Sequence, residues 1–227
     1  MVEASHSDVV NSTLKDWWSL NQTLALNQQN SSFNGVIINT SATTDRSGNN
    51  TDAMQFNAST NFVNVSFYNL SYANFSWQAW LYLNDSTSTD LDVVYTIFHH
   101  VPVIGTGHQN AVMGAFIENI SNQNRLTWRA RNDSGGMVNA RSNVTIPIKS
   151  WIHIVGTYNN DTKEMILYMN GTAINTSNYT GGDWTPSLRT FIIGTARSPS
   201  GTGDGVNLTS NNTLNGSIDD FALWNTV

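Results

Sequence analysis

Residues Trp151 to Gly171 read WIHIVGTYNNDTKEMILYMNG, and no other run restricts the fold of this chain as tightly. Trp151 to Tyr158 and Lys163 to Met169 are rich in β-branched and aromatic residues, which suit a pleated surface. Asn159-Asn-Asp-Thr162 between them is a turn, because Asn and Asp tolerate left-handed backbone angles and hydrogen-bond their own backbone. Asn170-Gly171 supplies a second turn of the tight-hairpin kind. In the second segment Met165, Leu167 and Met169 alternate with Ile166 and Tyr168, so both faces are apolar. That predicts a strand covered on both sides, in the middle of a layered β domain.

The remaining apolar runs are short and separated by polar turns. Trp77, Ala79, Leu81 and Leu83 fall on one face of a strand, with Trp80 and Tyr82 on the other. Further strands are expected at 16–20, 35–38, within 52–65, at 92–98, 109–117, 125–131, 137–141 and 188–193. In 125–131, Arg alternates with apolar residues, so one face is wet. Polar loops are expected at 39–51, where Asp45 to Gly48 is a turn, at 99–108, at 175–187, and at 195–212. No long helix and no solenoid repeat appears. The expected class is all-β, a two-sheet antiparallel β-sandwich. Residues 1–12 read as a flexible polar segment and 13–227 as a single domain.

The pattern W-x-H-x-V-x-x-Y, a polar turn, then L-Y-x-N-G resembles the central hairpin of laminin-G-like jelly rolls in the concanavalin A-like lectin/glucanase superfamily. Ala53 to Asn57 with Asn61 to Val63, Phe75 to Leu81, Phe191 to Gly194, and Leu214 to Asn225 are similar to further segments of that family, in the family's order. The resemblance spans roughly Trp17 to Asn225 and implies a concanavalin A-like jelly roll. It also implies one structural calcium ion, with Asp219 and Asp220 as ligands and Asn27 as a third. Here the sequence departs from the family: Asn21, Asn27 and Asn57 stand where acids are usual, and the lost charge weakens such a site. The superfamily hosts lectins, enzymes and scaffolds, so fold alone leaves function open.

A net charge of −6 without a basic run argues against nucleic acid and acidic membrane surfaces as partners. No apolar run is long enough for direct membrane insertion. The chain has no Cys, which removes disulfides, zinc–cysteine sites and thiol catalysis. Against 31 Asn and 49 Ser plus Thr, it carries 20 N-x-[ST] sites, where random placement gives about 7. They are Asn11, Asn21, Asn30, Asn39, Asn49, Asn57, Asn64, Asn69, Asn74, Asn84, Asn119, Asn132, Asn143, Asn160, Asn170, Asn175, Asn178, Asn207, Asn211 and Asn215. The excess implies N-glycosylation and therefore export. The first residues lack the features of a signal peptide, so the expectation is a segment cut from a longer extracellular or virion-surface protein.

Catalysis is not expected. Glycosidases of this superfamily place carboxylates at i, i+2 and i+4 on a strand, on one face. This chain has only Glu3, Glu118 and Glu164, none at that spacing. His99, His100 and His108 read as loop residues, and His153 as a structural hydrogen-bonding residue. Trp18, Trp77, Trp80, Trp151 and Trp224 read as core, while Trp128 is open between core and surface. Trp184, Tyr179 and Asp204, in or beside loops, are the candidate ligand contacts. The expected function is recognition or adhesion, binding carbohydrate or a surface protein. The alternative is a structural domain that packs against copies of itself in an archaeal filament, S-layer or virion, with glycans as a coat. Residues 85–118 and 179–206 lack sequons and are expected to border a common unglycosylated face.

Overall fold

The computed structural model describes residues 14–20, 25–57, 61–69, 74–86, 94–102, 112–131, 137–179, 188–195 and 213–227. They form two antiparallel sheets packed face to face, the all-β sandwich expected. One is eight-stranded, in the order β13 (Thr172–Asn178), β12 (Glu164–Met169), β11 (Trp151–Asn159), β6 (Asn74–Leu83), β15 (Asn215–Trp224), β4 (Ala53–Asn57) and β3 (Ser41–Thr43), with β1 (Leu14–Trp18) also paired to β15. The other is seven-stranded, in the order β10 (Met137–Arg141), β9 (Gln123–Arg131), β8 (Val112–Ile120), β7 (Val94–Pro102), β14 (Leu188–Ile193), β5 (Phe62–Asn69) and β2 (Val36–Ile38).

The hairpin forms as its turn chemistry dictates. Asn159 Oδ1 accepts from the backbone N–H groups of Asp161 and Thr162, at 2.9 and 3.1 Å, and closes the first turn. Asn170 and Gly171 both take positive φ, 50° and 78°, the backbone that a two-residue hairpin needs. The strand between these turns is less buried than its apolar pattern suggests. β12 lies next to the sheet edge, and Ile166 and Tyr168 are half-buried on the outer face. Beyond it, β13 occupies 172–178, so the first residues of the expected 175–187 loop are strand. Its polar sequence, TAINTSN, suits an edge strand, which has one solvated side. The short β3 lies within the expected 39–51 loop for the same reason.

The core is the space between the sheets. Along β6, Phe75, Trp77, Ala79, Leu81 and Leu83 point inward and are buried. Trp77 meets Phe98 of the facing sheet edge-on, with ring centres 5.0 Å apart. Trp18 stacks on Phe191 at 5.8 Å, and Phe221 meets Phe98 at 5.3 Å. Such aromatic pairs add about 0.5–1.5 kcal/mol each beyond the area that they bury. Trp77 fits because β11 has Gly156 opposite it in register. A Cβ on Gly156 would lie 2.2 Å from Trp77 Nε1. Trp128, left open by the sequence, is fully buried in this core.

Candidate functional site on the outer face of the eight-stranded sheet

Strand alternation that sends Trp77 inward sends its neighbours outward. Gln78, Trp80 and Tyr82 of β6 face away from the core, with Trp151, His153 and Val155 of β11 beside them. In register, Trp151 pairs with Tyr82, and His153 with Trp80. The rings follow that register: Tyr82 and Trp151 lie 5.6 Å apart, Trp80 and His153 5.1 Å. Tyr168 pairs with Val155 and extends the row onto β12. All of these residues are half-buried, neither enclosed by the core nor fully exposed. Trp80, Trp151 and Trp224 are therefore not core residues, contrary to expectation. They take the opposite face of strands whose other face already fills the core.

The same face carries a charged cluster made by an irregularity in β15. Asp219 pairs with Trp80 and Ala222 with Gln78, so Asp220 and Phe221 together oppose a single residue of β6. Asp220 absorbs the extra length at φ 49°, a bulge conformation that Asp tolerates. Successive strand residues normally point to opposite faces; the bulge turns Asp219 and Asp220 to the same one. Both carboxylates meet Arg46, whose Nη1 contacts Asp219 Oδ2 and lies 3.0 Å from Asp220 Oδ2. Trp17 Nε1 donates to Asp220 Oδ1 at 3.1 Å, and the Arg46 guanidinium sits 5.0 Å over the Trp80 ring.

Arg46 is aimed by its turn. The Asp45 carboxylate accepts from the backbone N–H groups of Ser47 and Asn49, each at 2.8 Å. Burial, together with the neighbouring Asp220 charge, pushes the Asp219 carboxyl up to about 7 despite the attraction of Arg46. Burial, reinforced by Arg46, lowers the His153 pKa, with Asp220 opposing; its Nε2 is 3.1 Å from Gln78 Oε1. The local pattern did not single out Arg46, but a signal existed: residues 17–44 contain no charged side chain. Asp45 and Arg46 end that stretch together, and charges that follow so long a neutral run need a partner or water.

The three expected calcium ligands are not brought together as a free oxygen cage. Asp219 and Asp220 hold Arg46. Asn27 Oδ1 accepts from the backbone N–H groups of Gln29 and Asn30, at 2.9 and 3.0 Å, and its Nδ2 donates to Asp16. Among the described residues, no group of three or more His, Asp or Glu is placed to hold a metal ion. Tyr179 is a correction: at 1% exposure it is a core residue, edge-on to Tyr158 at 5.7 Å. It follows β13 directly and is enclosed by the core, so it offers no surface for contact. Trp184 and Asp204 lie outside the described residues, as do His108 and the sequons Asn11, Asn21, Asn132, Asn207 and Asn211.

His99 and His100 belong to β7 and not to a loop. They are buried and point to opposite faces, His99 toward Phe116 and His100 toward Phe191. Of the sequon asparagines, Asn30, Asn39, Asn49, Asn57, Asn143, Asn170 and Asn178 are exposed; Asn64, Asn74, Asn84, Asn119, Asn160, Asn175 and Asn215 are half-buried. The backbone of Asn69 lies in β5. The sequon-free stretches do meet, because β7 pairs with both β8 and β14. However, residues 95–100, 113–117 and 191–195 are all buried, so these described parts are not themselves an open contact face.

The profile of the laminin-G-type family described as the concanavalin A-like lectin/glucanases superfamily matches residues 49–227. The chain belongs to that superfamily. No curated protein matches this superfamily member by sequence. Among solved structures it is similar to domain 4 of AbnA, a GH43 extracellular arabinanase from Geobacillus stearothermophilus in complex with arabinotriose. That match has a TM-score of 0.66 and 14% identity, and covers 93% of this chain and 92% of that one. It is also similar to the binding domain of Paraclostridial Mosquitocidal Protein 1 (TM-score 0.67, 16% identity, 95% of this chain and 49% of that one). The botulinum neurotoxin serotype D binding domain matches with TM-score 0.63 and 19% identity, over 94% of this chain and 48% of that one. The chain spans about half the length of these toxin binding domains.

Proposed function

We propose that this domain is a non-catalytic recognition module of an exported, N-glycosylated surface protein. It binds carbohydrate on the outer face of the eight-stranded sheet. The observation that carries this reading is the row of half-exposed rings: Trp80, Tyr82, Trp151 and Tyr168 on one sheet face, beside a locked Arg46. Partly exposed aromatic groups with polar neighbours favour ligands that have both apolar and hydroxylated surface. The described Glu side chains, together with the Asp219–Asp220 pair that Arg46 already holds, support a role without hydrolysis. Glu118 lies on β8 and Glu164 on β12, in different sheets, whereas a two-carboxylate mechanism needs them flanking one bond. The sequon density supports export, and the glycan-bound neighbour supports carbohydrate as the ligand class. No helix among the described residues is long and apolar enough to cross a membrane.

Binding to a broad glycan array, with calcium and with chelator, tests this. A glycan that binds the native chain should lose about tenfold or more in affinity for Trp151→Ala or Tyr82→Ala, on the scale of an aromatic contact, with the thermal midpoint little changed. Affinity unchanged in both variants would remove this face as the site. No glycan bound in either condition would favour the alternative, a structural domain of a surface assembly packed against its own copies. Binding lost on chelation would show a calcium requirement.

A further inference from the structure

The opposite side of the sandwich carries a second, chemically different surface. β9 alternates so that Leu126, Trp128 and Ala130 are buried while Arg125 and Arg129 point outward. In register, Thr127 pairs with Arg141 of β10, and also with Phe116 of β8. Arg125, Arg141 and Arg129 thus stand at three successive outward levels, about 7 Å apart along the strand. Glu118 is the acidic side chain placed among them. It is 2.7 Å from Arg129 Nη2 and 2.9 Å from Arg141 Nη2, and accepts from Thr127 Oγ1 at 2.5 Å. Three guanidinium groups against one carboxylate leave two positive charges in a chain of net −6.

These guanidinium groups are held in place and not merely clustered. Arg129 Nε donates to Asn139 Oδ1 at 3.0 Å, and its guanidinium lies 5.2 Å over Phe116. Arg141 Nε donates to Thr127 Oγ1 at 3.2 Å. Burial would raise the Glu118 pKa, but the Thr127 hydrogen bond and the two arginines outweigh it and hold it below the usual range. The Arg129 and Arg141 side chains remain 29% and 41% exposed, so a ligand can reach them. Arg125 Nη2 donates to Gln123, while its Nη1 is buried; the guanidinium reaches solvent only in part.

We propose that the outer face of β8, β9 and β10 binds an acidic polysaccharide, with Arg125, Arg129 and Arg141 holding its carboxylate or sulfate groups. Guanidinium forks match such groups two donors at a time. An acidic protein partner fits less well. A protein interface needs an apolar centre, and none of the exposed large hydrophobics among the described residues lies on these three strands. The surface is separate from the aromatic face, which lies on the other sheet.

The test is binding of the 227-residue chain to immobilised dextran sulfate, against neutral dextran and poly-glutamate. Native chain should bind dextran sulfate and not dextran, and should weaken as salt rises from about 50 to about 300 mM, because the Debye length shrinks. Arg125→Gln with Arg141→Gln should lose about tenfold or more in affinity, the scale of a charge-assisted hydrogen bond. Arg125→Gln alone, which touches no ion pair, should lose a smaller part with its thermal midpoint unchanged. Equal binding to neutral dextran, no binding to dextran sulfate, or undiminished binding by both variants would overturn the proposal. Binding to poly-glutamate without binding to dextran sulfate would overturn it in favour of an acidic protein partner.

Discussion

Asp219→Asn removes one negative charge from a buried pair and keeps the shape of the side chain. In the folded chain the Asp219 carboxyl is pushed up to about 7 by burial and by Asp220; unfolded, an Asp titrates near 3.9. Because the folded value lies above the unfolded one, the native state holds this proton longer. The associated stability is fully present below about pH 4 and is lost as pH rises through about 7. Three units correspond to roughly 4 kcal/mol at about 1.4 kcal/mol per unit. Asn cannot ionise, so the variant should match the native chain near pH 4 and gain on it by up to that amount by pH 8. For a chain of this length about 2–4 °C accompany each kcal/mol, so the midpoint difference at pH 8 should reach roughly 10 °C. Urea unfolding followed by Trp fluorescence from pH 4 to 8.5 reads the difference directly. Glu118, held low by its arginines, contributes with the opposite sign, but it is common to both chains and cancels. A pH-independent difference would refute the reasoning. So would a native chain that gains on the variant as pH rises, because then the Arg46 attraction outweighs burial and Asp220.

Gly156→Ala should destabilise by about 1–3 kcal/mol, the usual cost of overpacking, since its Cβ would lie 2.2 Å from Trp77 Nε1; chemical denaturation checks it. Arg46→Gln leaves Asp219 and Asp220 side by side without their cation. Calcium should therefore raise the thermal midpoint of that variant more than that of the native chain, in which the ion must displace Arg46. An equal response in both would show that calcium acts elsewhere.

Much of the scaffold was legible because it is written locally. The hairpin from Trp151 to Gly171 follows from β-branched runs and from Asn and Gly at turn positions. The wet face of β9 follows from alternation at Arg125 and Arg129. Polar edge strands such as β3 and β13 were not legible, since their pairing comes from a neighbouring strand and not from their own composition. His99 and His100 looked like loop residues for a related reason: β7 places them between two other strands, where even imidazoles are enclosed.

The sequence by itself determined which residues share a strand face, because a period of two is a property of the backbone. It separated Trp77, Ala79 and Leu81 from Trp80 and Tyr82. Only the tertiary structure decided which of those faces met the opposite sheet, and so which tryptophans became core and which became a surface. The Arg46 cluster lay further still from local reach. Its first partner, Asp219, is 173 residues away in sequence, and adjacent aspartates converge on one guanidinium only because β15 bulges where its edge passes from β4 to β1. Pairing across such distances depends on which strands become neighbours, and no local pattern encodes that.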